Sequence, residues 1–380
     1  MASETGDCGL SAIKQYKNID AASAPNRDTG TYPANLPSPS KRRRVDSLAE
    51  HPYDLMSPHV FEQSDGGPDP PNTVLYLAYG SNLCAETFQG KRGIRPLSRV
   101  NVVVPELVMT FDLAGLPYVE PCFSNTKYRT TSPPTSPCEK TSLLSDPPPD
   151  YHKNRWKKGL VGVVYEVTKE DFAHIITTEG GGASYQDVLV QCHQLPQNST
   201  TVPDHPTSDP FKAHTLYSPV FPPGEKPPQE GGRFSRPDPN YAQPSARYLK
   251  LIHDGADEHG LPEEYKTYLH QLRPYTVTTQ RQKLGRWIFM MVWLPFITTV
   301  FALNKRFADE DGKAPPWLVA VTGAIFKAMW MSYDNFFYKV FGDGERTIYE
   351  DGDEGADVKR RSLTGYSSIN KKVPDEYHVV

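Results

Sequence analysis

The chain has 380 residues and a formal net charge of −4. That charge excludes a strongly basic nucleic-acid-binding protein. Hydrophobic residues make up 37% of the chain and proline accounts for 37 residues, so we expect one globular core that is flanked and interrupted by segments unable to pack.

The spacing of the cysteines argues against a zinc site. The five cysteines lie far apart and form no Cys-x-x-Cys pair or Cys/His pattern of a zinc site. No apolar leader opens the chain, so we expect a protein on the reducing, cytosolic side of the membrane. The composition also excludes a collagen-like chain and a small disulfide-stapled domain.

Residues 1–71 are rich in Ser, Pro, Asp and Gly and show no hydrophobic period, which predicts a disordered N-terminal region. This region contains the basic run Lys41-Arg-Arg-Arg44. Such a run is typical of nuclear-import signals, but short basic runs are common in tails. We therefore favour a solvated charge cluster over an import signal.

Order is predicted to begin at Thr73. The apolar run Thr73–Ala78 is typical of a buried strand, and Tyr79-Gly-Ser-Asn82 ends it in a turn of small residues. Val100–Val104 and Leu107–Phe111 are the next predicted strands.

The middle of the chain is predicted to contain two more strands with a helix between them. A strong strand is predicted within Lys158–Val167. Thr168 and Asp171 have the spacing of a helix capping box, and glycines typical of a helix end follow Glu179. Ser184–Cys192 is predicted to be another strand.

Two segments inside the globular part lack the apolar residues needed for packing. Residues 131–154 and residues 196–243 are rich in proline and small polar residues. We expect both to be loop insertions.

The last third of the chain changes character. After predicted helices over Tyr248–Asp254 and Pro262–Leu272, the segment Trp287–Leu303 contains no charged residue. It reaches the lower length limit of about 17 residues for a membrane-spanning helix. We expect residues 276–345 to form a hydrophobic helical region associated with a membrane, and the charged residues 346–380 to be disordered.

Two places along the chain suggest chemistry. The turn Tyr79-Gly-Ser-Asn82 leads from a strand into a helical turn, where free backbone N–H groups can bind a carboxylate or an oxyanion. Glu179 follows a helix and precedes three glycines, which leave room for a substrate beside an acid that can transfer protons. Taken singly, each place is equally compatible with an ordinary structural role.

Three segments taken together resemble the γ-glutamyl cyclotransferase family. Tyr76-Leu-Ala-Tyr-Gly-Ser-Asn-Leu83 is similar to the family signature. Gly162-Val-Val-Tyr165, followed by Glu179, is similar to the segment that carries the family's catalytic Glu. Pro244-Ser-x-x-Tyr248 and Gly255–Tyr265 resemble its C-terminal helical element, and the order of the segments is the family's order.

The resemblance spans residues 73–272 and implies both fold and activity. It implies an α+β domain over residues 72–275, built as a small, mostly antiparallel β-barrel with flanking helices. It also implies a lyase that cyclises a γ-glutamyl-amino acid to 5-oxoproline and releases the free amino acid. No metal and no organic cofactor are implied.

The family's site residues are carried over to matching positions of this chain. Glu179 is implied as the catalytic residue that accepts and returns a proton. The implied substrate-binding residues lie on the first strand, on its turn and at a later tyrosine: Tyr76, Leu77, Ala78, Tyr79, Gly80, Ser81 and Tyr248.

Alternatives stay open at this point. One is a non-catalytic binding module attached to a membrane, and another is a cyclotransferase that acts on glutathione or on a γ-glutamyl secondary metabolite. The expected partner is a small γ-glutamyl molecule and no nucleic acid. Trp287–Leu303 fits a membrane or a protein surface; we favour the membrane, with the catalytic domain in the cytosol.

Overall fold

The structure is a computed structural model that describes residues 36–55, 72–129, 155–179, 185–196, 199–218, 236, 238, 240–307 and 314–348. The expected loop insertion at residues 131–154 lies outside the described residues.

The described chain contains seven strands and seven α-helices, and most of the helices follow the last strand. The strands are β1 (Thr73–Ala78), β2 (Ser98–Val104), β3 (Leu107–Leu116), β4 (Glu120–Tyr128), β5 (Leu160–Thr168), β6 (Gln186–Gln194) and β7 (Pro210–Tyr217). The α-helices are α1 (Lys41–Asp46), α2 (Lys169–Thr178), α3 (Ala246–Glu258), α4 (Glu263–His270), α5 (Gln280–Phe307), α6 (Pro316–Ser332) and α7 (Tyr338–Phe341). Short 3₁₀ turns form at Ser47–Ala49 and Ser81–Leu83, and π-helical turns form at Glu86–Lys91 and Tyr333–Phe337.

Five strands close into a barrel in the order β1, β5, β2, β6 and β7. Neighbouring strands run antiparallel, except that β1 and β7 pair in parallel where Tyr76 lies opposite His214. The strands carry buried Val, Leu and Tyr residues that form the main hydrophobic core. The predicted α+β fold, with a small and mostly antiparallel barrel and flanking helices, is confirmed.

Strands β3 and β4 form a hairpin outside the barrel. The residue at its tip, Tyr118, has a φ of 65° and is 1% exposed. Its phenol donates to the carbonyls of Phe337 at 3.0 Å and Gly342 at 2.8 Å. A residue other than glycine rarely adopts a positive φ. The two hydrogen bonds to the C-terminal segment support this conformation and hold the hairpin tip.

The expected hydrophobic helical region at residues 276–345 forms a second core with this hairpin. Its buried members come from β3, the hairpin tip, α5, α6 and the π turn: Leu116, Tyr118, Phe289, Ile297, Met329, Trp330, Tyr333 and Phe337. Helix α5 runs through Pro295 without ending. The region is therefore docked on the barrel domain through the hairpin.

Buried charges reinforce this docking. Arg236 is 4% exposed, donates to both carboxylate oxygens of Asp334 at 2.6 and 2.7 Å, and pairs with Glu345 at 3.0 Å. Its guanidinium also lies 4.0 Å from the centre of the Trp330 ring. Thr347 donates its N–H to Gln243 at 2.8 Å, so the first residues of the predicted disordered segment 346–380 are packed.

The N-terminal region requires a correction. The prediction that residues 1–71 are disordered is wrong for residues 36–55, which lie against the barrel. Arg43, part of the run expected to be solvated, is 7% exposed and donates to Thr73 at 2.9 and 3.0 Å. It also pairs with Glu50 at 2.7 Å. Composition misleads here because ion pairs and hydrogen bonds hold much of the segment, together with Leu55, which is buried in the main core.

The second expected insertion also requires a correction. Residues 196–243 were predicted to be a loop, yet they contain β7, which closes the barrel. Phe211 and Ala213 of this strand are fully buried. The prolines that surround β7 in the sequence hide a short strand, since its pairing with β1 and β6 is not visible in local composition.

Candidate active site

The turn that follows β1 is fixed by a helix laid directly against it. A Cβ atom at Gly255 of α3 would lie 2.5 Å from the backbone of Leu83, so only glycine permits this approach. Within the turn, Leu83 donates its N–H to the Gly80 carbonyl at 3.0 Å. The N–H groups of Gly80, Ser81 and Asn82 have no hydrogen-bond partner in the part of the chain that the structure describes. They are free to receive an anionic group.

Glu179 lies at the C-terminal end of α2, next to this turn. The helix begins as predicted, with the Thr168 hydroxyl accepting the Asp171 N–H at 3.0 Å. Oε1 of Glu179 accepts from Asn82 Nδ2 at 3.1 Å and from Arg92 Nη2 at 2.6 Å. Oε2 has no partner among the described residues. One carboxylate oxygen is thus anchored and the other is left to meet a ligand.

Tyrosine side chains surround this carboxylate. Asn82 Nδ2 also donates to the Tyr76 hydroxyl at 2.8 Å, which joins Tyr76 and Glu179 through one amide. Burial raises the pKa of Tyr76, and the negative charge of Glu179 raises it further. Burial and the same charge raise the pKa of Tyr185 as well. Both phenols therefore stay protonated and act as neutral hydrogen-bonding groups.

A second cluster forms where β4 meets α3. The Ser124 hydroxyl lies 2.6 Å from the Tyr248 hydroxyl, and the Ser124 N–H donates to the same oxygen at 3.2 Å. Burial raises the pKa of Tyr248 to about 12 despite these hydrogen bonds. A Cβ atom at Gly80 would lie 2.4 Å from Ser124 Oγ and 3.2 Å from the Tyr248 hydroxyl. Gly80 thus brings the turn against Tyr248.

The structure places the predicted substrate-binding residues in different environments. Tyr76, Gly80 and Tyr248 lie in the two clusters around Glu179 and Ser124. The side chains of Leu77 and Ala78 belong to the hydrophobic core and are at most 1% exposed. The remaining two lie on the turn: the Tyr79 hydroxyl donates to the Leu216 carbonyl at 3.4 Å, and Ser81 begins the 3₁₀ turn.

Three residues of the site were missed by the sequence reasoning. They are Arg92, Ser124 and Tyr185. The signal for Tyr185 was its place just after the glycines that follow Glu179. Arg92 and Ser124 gave no local signal, because their contacts with Glu179 and Tyr248 join segments that are distant in sequence.

The arrangement suits proton transfer beside an anion-binding turn. Within the described ranges, one carboxylate oxygen of Glu179 and the N–H groups of the turn have no partner, and protonated tyrosines lie around them. The described residues contain no group of three or more His, Cys, Asp or Glu side chains placed to hold a metal ion.

Known proteins are similar to the C-terminal helical region of this chain and to about half of its length. Residues 279–340 match the family described as the AclK C-terminal domain. A solved structure named γ-glutamyl cyclotransferase covers 55% of this chain and 92% of its own, with 18% identity and a TM-score of 0.35. The glutathione-specific γ-glutamyl cyclotransferase from yeast covers 53% of this chain and 96% of its own, with 14% identity and a TM-score of 0.31.

Two curated fungal proteins are similar over most of the chain. The γ-glutamyl cyclotransferase aclK of Aspergillus oryzae is 27% identical over 285 residues, which cover 73% of this chain and 92% of that protein. The γ-glutamyl cyclotransferase gliK of Aspergillus fumigatus is 31% identical over 287 residues, which cover 74% of this chain. Because the match with gliK extends over 94% of that relative, the chain belongs to the γ-glutamyl cyclotransferase family.

Proposed function

We propose that this chain is an active γ-glutamyl cyclotransferase that converts a γ-glutamyl-amino acid into 5-oxoproline and the free amino acid. The observation that carries the proposal is the carboxylate of Glu179, which Asn82 and Arg92 anchor at Oε1 while Oε2 has no partner in the described part of the chain. This carboxylate lies beside the turn whose N–H groups have no partner among the described residues.

The reaction needs one base and no water. The α-ammonium of the γ-glutamyl group gives a proton to Oε2 of Glu179, and the freed amine attacks the γ-carbonyl carbon. The new C–N bond closes a five-membered ring. The C–N bond to the leaving amino acid then breaks, and the proton on Glu179 passes to the leaving nitrogen. The ring nitrogen gives up a second proton, which reaches the leaving amine by the same carboxylate, so the products are the lactam 5-oxoproline and an amino acid with its ammonium group. Every substrate atom is found in one of the two products.

The turn after β1 supplies the second contribution to catalysis, which is stabilisation of the charge that develops during the attack. When the amine attacks, negative charge develops on the γ-carbonyl oxygen. Preorganised N–H groups at Gly80, Ser81 and Asn82 stabilise that charge. Holding the chain of the substrate in a bent conformation near the reacting geometry supplies the rest of the acceleration.

The proposed partner is a small γ-glutamyl molecule. A substrate panel tests whether the reaction occurs and whether the substrate is a γ-glutamyl dipeptide or glutathione. Purified full-length protein is incubated with γ-glutamyl dipeptides and with glutathione, and 5-oxoproline is measured by mass spectrometry. We expect 5-oxoproline from the dipeptides. Its formation from glutathione alone assigns the glutathione-specific alternative, and its absence with every γ-glutamyl compound tested overturns the proposal in favour of a non-catalytic binding module.

A second proposal concerns the C-terminal helices. We propose that α5 and α6 attach the protein to a lipid bilayer, with the catalytic domain on the cytosolic side. Gln280–Asn304 is long and apolar enough to cross a membrane, and only 17% of its most apolar stretch is buried. Large apolar side chains are exposed on both helices: Leu284, Trp287, Met291, Val292, Phe296, Phe301, Phe307, Trp317, Val321 and Met331.

Each of these helices has one face buried against protein and one face exposed, which supports attachment at a membrane surface. Phe289 and Ile297 of α5 are buried in the second core, together with Met329 of α6. One face is thus held by protein while the other is left without cover among the described residues. Trp287 beside Arg286 has the amphipathic character found at membrane surfaces.

Vesicle flotation tests this attachment. Full-length protein is mixed with vesicles of phosphatidylcholine and phosphatidylserine and centrifuged in a density gradient. We expect the wild type to float, and the double substitution Trp287→Glu/Met291→Glu to leave the protein at the bottom. Leu97→Glu, at an exposed apolar residue of the barrel domain, is the matched control and keeps flotation. A wild type that stays at the bottom and is monomeric without detergent overturns the proposal.

A further inference from the structure

We infer that Arg92 is the residue that recognises the α-carboxylate of the substrate's γ-glutamyl group. This inference rests on the proposed cyclotransferase activity. It assigns a specificity role to an arginine that the sequence motifs do not single out.

Local structure directs Arg92 toward the site. The residue follows the π-helical turn Glu86–Lys91, and its N–H bonds the Thr87 carbonyl at 3.0 Å. π-Helical turns recur at functional sites because their wider turn redirects the chain. The side chain of Arg92 is 15% exposed and ends against α2, where it contacts both Thr178 and Glu179.

The guanidinium has donors to spare. Nη1 donates to the Thr178 hydroxyl and Nη2 donates to Oε1 of Glu179 at 2.6 Å. Nε and the second hydrogen of each terminal nitrogen have no partner within the described ranges. A planar guanidinium with open donors matches the geometry of a carboxylate.

The pair presents two charges side by side. As far as the described residues go, Oε2 of Glu179 is available to a positively charged group and the open donors of Arg92 are available to a negatively charged one. A γ-glutamyl compound carries an α-ammonium and an α-carboxylate on the same carbon atom. The Arg92–Glu179 pair is complementary to that zwitterion, and it orients the amine toward Glu179.

The neighbouring amide supports the same placement. Oδ1 of Asn82 is buried and has no hydrogen-bond partner in the described part of the chain. A buried acceptor of this kind is costly when it stays unpaired. An ammonium group held next to Glu179 supplies a donor near this amide.

Two substrates that differ only in the carboxylate test the inference. γ-Glutamyl-alanine cyclises to 5-oxoproline, whereas 4-aminobutyryl-alanine lacks the α-carboxylate and cyclises to 2-pyrrolidinone by the same ring closure. We expect Arg92→Met to lower kcat/KM for γ-glutamyl-alanine by about 10- to 100-fold, the range for a charged hydrogen bond. The rate with 4-aminobutyryl-alanine changes less than about threefold. Arg95→Met, at an exposed arginine of the same segment, leaves both rates unchanged.

Other outcomes separate the competing explanations. Equal losses with both substrates mean that Arg92 only positions Glu179, which overturns the inference. Absence of 5-oxoproline with the wild type counts against the proposed activity instead. Calorimetric binding of 5-oxoproline is independent of turnover: tenfold weaker binding in Arg92→Met, with folding checked by circular dichroism, supports the inference, and unchanged binding overturns it. Arg92→Gln provides a second variant if Arg92→Met does not fold.

Discussion

Nδ2 of Asn82 lies 3.1 Å from Oε1 of Glu179, although the two residues are 97 positions apart in sequence. The same nitrogen donates to the Tyr76 hydroxyl at 2.8 Å. One amide therefore fixes the carboxylate relative to the first strand. The position of Glu179 depends on the pairing of β1 with β5 as much as on the helix that ends there.

Replacing Glu179 is the direct test of its role. Glu179→Gln keeps the shape of the side chain but removes the proton acceptor, so 5-oxoproline formation should fall by about 10²–10⁴-fold. Glu170→Gln, at an exposed residue of the same helix, is the control and should keep full activity. Thermal unfolding of both variants checks the fold. A loss of less than threefold in Glu179→Gln excludes this carboxylate from the reaction.

The close approach at Gly80 gives a second prediction. The φ of Gly80 is −109°, so the requirement for glycine comes from space and not from a left-handed backbone. Gly80→Ala places a methyl group against Ser124 Oγ and should raise KM or abolish turnover. The double substitution Gly80→Ala/Ser124→Ala removes the nearest atom and should recover part of the loss.

Gly323→Ala serves as the control for the glycine prediction. A Cβ atom there meets nothing within 4 Å, so activity should not change. Equal kinetics in Gly80→Ala and the wild type would show that the turn is not part of the substrate site.

The strand assignment shows what local sequence can and cannot predict. β1, β2, β5 and α2 were predicted because their apolar runs and the cap at Thr168 are local signals. The helix-end position of Glu179 was predicted for the same reason. β4, β7 and the partner Arg92 were not predicted, since pairing with distant segments decides them. Ser124 reaches Tyr248 only because β4 folds back on β3.

The ion pairs of the buried His214 introduce a pH dependence of stability. Burial alone would lower the pKa of His214, but Asp187 at 2.6 Å and Glu50 at 3.1 Å outweigh it and raise the pKa to about 9. In the unfolded chain the value is about 6.5. The stabilisation is therefore complete below about pH 6.5, is lost as the pH rises through 9, and amounts to about 3 kcal/mol.

Chemical denaturation across this range measures the effect. The free energy of unfolding of the wild type should fall between pH 6.5 and 9, and His214→Gln should flatten that change. His205→Gln, at an exposed histidine, should behave as the wild type does. A wild-type free energy that is constant over this range rules out a charged His214 in the folded protein.

The docked hairpin gives a prediction about stability. Tyr118→Phe removes the hydroxyl that donates to the carbonyls of Phe337 and Gly342. Leaving those acceptors unpaired should cost about 1–3 kcal/mol of unfolding free energy. Tyr128→Phe, at an exposed tyrosine of the same hairpin, is the control and should cost much less. Equal costs would mean that the tip does not hold the C-terminal helices.

The parallel pairing of β1 with β7 has a consequence for synthesis of the chain. At about 5–20 residues per second, the ribosome needs roughly 7–30 s to extend the chain from the end of β1 to the end of β7. Throughout that interval the first strand has an unpaired edge, which is free to join strands of other nascent chains. Chains arrested before Tyr217 should therefore aggregate on the ribosome and depend on chaperones, whereas completed chains should not.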